Sequence, residues 1–145
     1  MKNTCAVLLD LFAQKGFKGQ RLRDGFVHID WRMPEDPDVL KYYIRCSGGR
    51  ILLFWMVPLQ HVFEKGNSQE DLAYALSDVA FRYRNENIKV DVKEGELLVS
   101  RCLKTPVLFF SAESLYNKVY NSMLDTHVCY EDIMNSLDLL RKLQK

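Results

Sequence analysis

Two nearly continuous apolar and aromatic stretches, Val39 to Cys46 and Arg50 to Val57, flank Ser47-Gly48-Gly49. A tight turn on the two glycines makes them a hairpin and fixes its register. Cys46 then pairs with Ile51, Ile44 with Leu53, Tyr42 with Trp55 and Leu40 with Val57, all on one face. The other face carries Arg45 with Leu52, Tyr43 with Phe54, and Lys41 with Met56. An antiparallel sheet with one face in water normally shows polar residues there. Neither face of this hairpin does, so the second face is either covered by another element or used as an interface. Pro58 ends regular pairing or marks an edge.

Helices and further strands surround this hairpin. Cys5, Leu8, Leu11 and Phe12 form the stripe of a first helix, capped by Asn3 or Thr4, with Gly16 past its end. The basic stretch Phe17 to Leu22 reads as a short strand, Asp24-Gly25 as a turn, and Phe26 to Trp31 as an alternating half-buried strand. Two prolines make Pro34 to Asp38 a loop. A second helix starts near Asn67-Ser68, with a capping box from Asn67 and Glu70 or from Ser68 and Asp71. Its expected buried face is Leu72, Ala73, Leu76, Val79, Ala80 and Tyr83. A second hairpin runs from Ile88 through Lys93-Glu94-Gly95 to Leu103, ended by Thr105-Pro106. Ser111 caps a third helix, a break is expected near Asp125-Thr126-His127, and a last helix runs from Tyr130 to about Lys142. The order α-β(3-4)-α-β-β-α-α reads as α+β: an antiparallel sheet of about five to six strands with helices mainly on one face. No repeat or linker divides residues 1–145, a length that suits one domain.

Two segments carry a family resemblance. One is the helix ending Val79-Ala80-Phe81-Arg82-Tyr83; the other is the strand–turn–strand Lys89-Val90-Asp91-Val92-Lys93-Glu94-Gly95-Glu96-Leu97-Leu98-Val99, with a helix-rich C-terminus after it. In this order of elements the chain resembles the type III secretion chaperone-like fold and, within it, the YbjN family of small bacterial proteins. The resemblance implies a non-enzymatic role, since the family has no catalytic signature and is described in terms of proposed sensory transduction regulators. It also implies a protein partner, because the chaperone relatives dimerise and hold an extended partner segment on the sheet and helix surface.

The search for chemistry gives the same answer. There is no phosphate-binding loop, dinucleotide fingerprint, nucleophile elbow or H-E-x-x-H helix. No helix opens after Gly48-Gly49-Arg50, so that turn lacks the geometry for holding an anion. His28 and Asp30 share a strand face, and His127 lies near Cys129, but both read as ordinary pairs. Glu35, Asp36 and Asp38 read as a solvated loop. Cys5, Cys46, Cys102 and Cys129 have no metal-ligand spacing and read as reduced, mostly buried thiols. No catalytic, cofactor or metal residue is assigned.

Twenty Lys and Arg against 19 Asp and Glu leave a net charge of +1, which disfavours nucleic acid. The local excess at Lys15, Lys18, Arg21 and Arg23 leaves an RNA contact as the weakest reading. The longest apolar run, Ile51 to Leu59, is too short to span a membrane, and no secretory signal is visible. A soluble cytoplasmic protein is expected.

The candidate site is the second face of the first hairpin: Tyr43, Arg45, Leu52, Phe54 and Met56. An exposed patch of aromatic, Met and Arg side chains marks an interface. The competing expectation is that the last helix crosses over and makes this face core. The leading functional reading is an interaction domain that self-associates as a homodimer or binds a protein or peptide. The alternative is a small-molecule sensor or enzyme. Its pocket would lie between sheet and helices, lined by Trp31, Trp55, Tyr42 and Tyr83 with His28 or His61 and a carboxylate.

Overall fold

The computed structural model describes residues 4–21, 26–30, 41–47, 49–104 and 111–144. Six strands form one antiparallel sheet: β1 (Lys18–Arg21), β2 (Phe26–Asp30), β3 (Lys41–Ser47), β4 (Arg50–Pro58), β5 (Ile88–Lys93) and β6 (Glu96–Lys104). Their order across the sheet is β1-β2-β3-β4-β6-β5. The helices are α1 (Thr4–Gln14), α2 (Leu59–Glu64), α3 (Gln69–Arg82) and α4 (Ala112–Leu143). The fold is α+β, as the element order implied.

The central hairpin has the register read from its turn. Cys46 faces Ile51, Ile44 faces Leu53, Tyr42 faces Trp55, Arg45 faces Leu52, Tyr43 faces Phe54 and Lys41 faces Met56. Gly49 has φ +76°, the left-handed conformation for which glycine is favoured in a tight hairpin. The expected partner of Val57, Leu40, lies outside the described residues. The second hairpin turns on Glu94 and Gly95, both at positive φ, between the paired Lys93 and Glu96.

Strand alternation sends Ile51, Leu53, Trp55 and Val57 inward, each 1% exposed or less. Tyr42, Ile44, Val27, Ile29, Leu97 and Val99 extend this inner face across the sheet. Helix α1 packs against the β1–β3 side and α4 against β4 and β6, while α3 packs on α4 and β5. The Trp55 indole N–H donates to the Thr126 carbonyl at 3.1 Å, and its ring meets Tyr130 edge-on at 4.6 Å. The Tyr42 hydroxyl donates to the Met123 carbonyl at 3.4 Å. Both polar tips thus find acceptors inside an apolar layer, as buried Trp and Tyr require.

Helix α3 starts at the second of the two possible capping boxes. Ser68 accepts from the Asp71 N–H, and the Asp71 carboxylate accepts from the Ser68 N–H. Asn67, buried instead, donates to Asp71 and to the Leu137 carbonyl at 2.9 Å. Those bonds, with Gln144 donating to the other Asp71 oxygen at 2.9 Å, tie the start of α3 to the end of α4.

Three sequence expectations are corrected. The C-terminal pair of helices is a single helix, so the order ends β-β-α. The expected break at Asp125-Thr126-His127 fails because Thr126 satisfies its hydroxyl on the Met123 carbonyl at 2.8 Å within the helix, and Tyr42 and Trp55 brace the same turn from the sheet. The short helix α2 was not anticipated; it starts directly after Pro58, which serves as its N-cap residue. In α3 the buried residues are Asp71, Leu72, Ala75 and Val79, whereas Ala73 and Ala80 face solvent. Small and apolar residues occupy two sides of that helix, so its periodicity fits more than one phase. Trp31, the Pro34–Asp38 loop and Asp24-Gly25 lie outside the described residues.

Candidate partner-binding face

The side of the sheet away from the helices is built by register. Phe26 lies opposite Arg45, and His28 opposite Tyr43. Tyr43 lies opposite Phe54 and Arg45 opposite Leu52. Across β4, Phe54 faces Ser100, Leu52 faces Cys102 and Met56 faces Leu98. Tyr43 stacks on Phe54 with ring centroids 5.3 Å apart, and Phe26 meets Phe54 edge-on at 6.0 Å. The His28 ring is 5.2 Å from Tyr43, and the Arg45 guanidinium lies over Phe26 at 5.1 Å. The outcome is a ribbon of aromatic rings with a cation at one side.

Tyr43, Leu52, Phe54, Met56, Phe26 and Leu98 are all half-buried, and Arg45 is exposed. Among the described residues, α1, α3 and α4 all lie on the inner side. Leu9 of α1 packs beside Gly19 and Ile29, and α4 meets the sheet through Tyr42 and Trp55. The last helix therefore does not cross over, and the five residues expected at the site share the outer face of the sheet. Phe26 and Leu98 join them. The sequence carried that signal, since Phe26 has the strand parity of His28 and Asp30, but only the register across β2, β3, β4 and β6 assembles it.

The sheet edge at β5 is guarded. The pairing Lys93–Glu96 closes the turn, so the next residue, Val92, points its backbone N–H outward. The Asp91 carboxylate accepts that N–H at 2.8 Å, and Lys89, Asp91 and Lys93 are exposed. A charged strand whose edge donor is already taken discourages strand addition. This favours docking on the face over docking at this edge.

The other sequence candidates assemble no chemistry. His28 contributes a ring to the aromatic ribbon, while the Asp30 side chain lies outside the described residues. His127 is buried in mid-helix, with Nδ1 2.9 Å from the Glu131 carboxylate. Cys129 is fully buried; desolvation, and secondarily Asp132, push its thiol up to about 12, so it is a neutral core group. Among the described residues no group of three or more His, Cys, Asp or Glu could hold a metal.

Trp55 and Tyr42, expected to line a pocket, are core side chains with no exposure. The Tyr83 hydroxyl donates to Asp132 at the α3–α4 contact. Two open grooves, about 590 and 310 Å³, lie between Lys65 and α4. The first is lined by Lys65, Asp138 and Arg141, the second by Lys65, His127, Tyr130 and Glu131, and neither is lined by Trp55, Tyr42, Tyr83, His28 or His61. Of the basic stretch, Lys15 pairs with Glu113 at 3.0 Å and lies over the Tyr116 ring, tying α1 to α4. Arg23 lies outside the described residues, as does the Arg21 side chain.

No family model matches the sequence, and no curated protein matches it. Solved structures do match its fold. The crystal structure of YbjN, a proposed transcription regulator from E. coli, aligns with a TM-score of 0.54 at 15% identity, covering 96% of this chain and 92% of that one. A chain of the HopA1-SchA chaperone-effector complex aligns with a TM-score of 0.53 at 14% identity, covering 90% of this chain and 97% of that one. At such identities the likeness is one of fold. The chain has the fold of YbjN and of a chain of the HopA1-SchA chaperone-effector complex.

Proposed function

We propose that this protein is a non-enzymatic, cytoplasmic interaction domain that holds a segment of another protein on the outer face of its sheet. The observation that carries the reading is the outer-face ribbon of Phe26, Tyr43 and Phe54, with Arg45 at its side, on the side of the sheet away from the described α1, α3 and α4. Supporting it, one structure of the same fold comes from a chaperone-effector complex, and among the described residues no helix is long and apolar enough to cross a membrane.

The chemistry of holding follows from the side chains. The stacked Tyr43–Phe54 pair offers a broad ring surface for apolar side chains. Leu52, Met56 and Leu98 extend it with adaptable aliphatic and thioether groups. Arg45, flat against Phe26, keeps its donors free at the edge for a carboxylate or a backbone carbonyl. Rigid aromatic anchors beside Arg are the composition of binding hot spots, worth about 2–4 kcal/mol each when truncated.

The test is capture of partners from the source cells on immobilised wild type, Phe54→Glu and a control, Lys89→Glu, followed by mass spectrometry. The reading expects a discrete protein retained by wild type and the control and lost with Phe54→Glu, with affinity down about 30-fold or more. The same proteins on all three columns would refute it.

A further inference from the structure

We propose that the segment held on the outer sheet face is acidic at one end: its carboxylates seat on Arg45, Arg50 and Lys104, and its apolar side chains lie over Tyr43 and Phe54. The assignment rests on that face holding a protein segment and adds the segment's chemistry. Arg45, Arg50 and Lys104 are all exposed. Strand alternation puts them on the outer face, because their sequence neighbours Ile44, Ile51 and Leu103 point into the core. Arg50 lies directly opposite Lys104 on β6 and opposite Ser47 on β3. Arg45, opposite Leu52, is its diagonal neighbour on the same face, about 7–8 Å away. Three cations therefore crowd the end of the sheet where β4 starts and β6 finishes.

Like charges directly opposite each other in a sheet repel and destabilise the pair. Among the described residues the ion pairs join other groups: Lys15 with Glu113, Arg82 with Asp78 and Asp132, Arg101 with Asp125, and Arg141 with Asp138. None of them brings a carboxylate to Arg50 or Lys104. Lys118 of α4 donates its ammonium to the Lys104 carbonyl at 3.3 Å, which adds a further positive charge behind the row. The other end of the face is balanced. Glu96 lies opposite Lys93 there, and Asp91 stands between Lys89 and Lys93 along β5. An acidic segment would relieve the repulsion at the cationic end, and guanidinium groups bind carboxylates through paired N–H donors. Phe54 is four positions after Arg50 on β4, and Tyr43 is two before Arg45 on β3. An extended segment along these strands advances at the same rate as they do, so its acids and its apolar residues stand two to four positions apart.

Selection of phage-displayed random peptides on the immobilised full chain tests this, with far-UV circular dichroism to confirm the fold of each variant. Wild type is expected to enrich peptides that carry Asp or Glu two to four positions from Leu, Phe or Tyr. A selected peptide is expected to bind about fivefold or more weakly when its acids are changed to amides, with the difference shrinking in high salt. Arg50→Glu and Lys104→Glu each set opposite charges across β4 and β6, so both are expected to fold, to lose the preference for acids and still to retain apolar peptides. Peptides that need Phe54 but show no enrichment in acids would overturn the acidic assignment and leave the binding face standing. Peptides indifferent to Phe54→Glu, or no selection at all, would remove the face as a binding surface and this assignment with it. A labelled oligouridylate bound as tightly as the selected peptide, and released by Lys104→Glu, would give the cations to nucleic acid and would overturn the assignment too.

Discussion

Phe54 and Trp55 are consecutive residues of β4 that point to opposite sides of the sheet, and truncating each to alanine separates a covered face from an open one. Trp55 has no exposure, donates its indole N–H to Thr126 and meets Tyr130 edge-on. Emptying such a site costs about 3–5 kcal/mol, and the lost hydrogen bond places Trp55→Ala near the upper end. Phe54 is only partly exposed, so most of its transfer value is at stake, on the order of 1–2 kcal/mol. Its stack on Tyr43 and its edge contact with Phe26 add roughly 1 kcal/mol together at a partly wet site. Phe54→Ala is therefore expected to cost about 2–3 kcal/mol, less than the effect one residue along the strand. Urea melts followed by far-UV circular dichroism read both values, with equal slopes required for the comparison. If Phe54→Ala costs as much as Trp55→Ala, the outer face is covered core, and the reasoning that makes it a binding surface fails.

Four further outcomes follow from the structure. Ser68→Ala removes the hydroxyl of the α3 capping box and is expected to cost about 1 kcal/mol in a urea melt. Asp71 accepts from the Ser68 N–H, then from Asn67, Gln144 and the Ser68 hydroxyl, which hold its carboxyl below the ordinary value. Its folded value being the lower one, the stability it contributes is present above the unfolded carboxylate value and fades as pH falls through the depressed one. The stability gap between wild type and Asp71→Asn is thus expected to narrow in acid; a gap that widens would contradict the assignment. Cys129, a neutral buried thiol, is expected to resist a thiol reagent in the native protein at neutral pH while Cys46 and Cys102, both half-buried, react first; mass-mapped labelling decides. Gly95 has φ +78° with no atom near the place of a Cβ, so Gly95→Ala is expected to cost about 1 kcal/mol through backbone strain alone, read by thermal melting.

The parts of this fold legible in the sequence are those set by short-range rules. Gly48-Gly49 fixes a register, and every described pair of the central hairpin follows from it. Ser68 with Asp71, and Ser111, announce helix starts that the structure keeps. The continuity of α4 was hidden because Thr126 and His127 are modest helix formers taken alone. What carries the helix through them is Trp55 and Tyr42, 71 and 81 residues away in sequence. The two-sided character of α3 was hidden for another reason. Ala73 and Ala80 fit an inward or an outward phase equally well, and only the docking of Leu72 and Val79 decides. Five residues of the candidate face came from the hairpin alone; Phe26 and Leu98 needed the long-range pairings of β2 with β3 and of β4 with β6.

The single long helix α4 also sets the order in which this protein can be completed during its own synthesis. All six strands precede it in the chain, and its side chains close the inner layer from Phe12, through Tyr116, to Leu137, through Asn67. A ribosome adding about 5–20 residues per second needs several seconds to make such a helix. For that interval the inner face of the nascent sheet has only the helices made earlier to cover it, α1 and α3 among them, and lacks the α4 cover of Trp55 and Tyr42, which have no exposure in the finished protein. The growing chain is then most prone to self-adhesion just before its last helix emerges. Its yield in a cell should depend on translation speed through residues 112–143 and on how quickly that helix is delivered to the sheet.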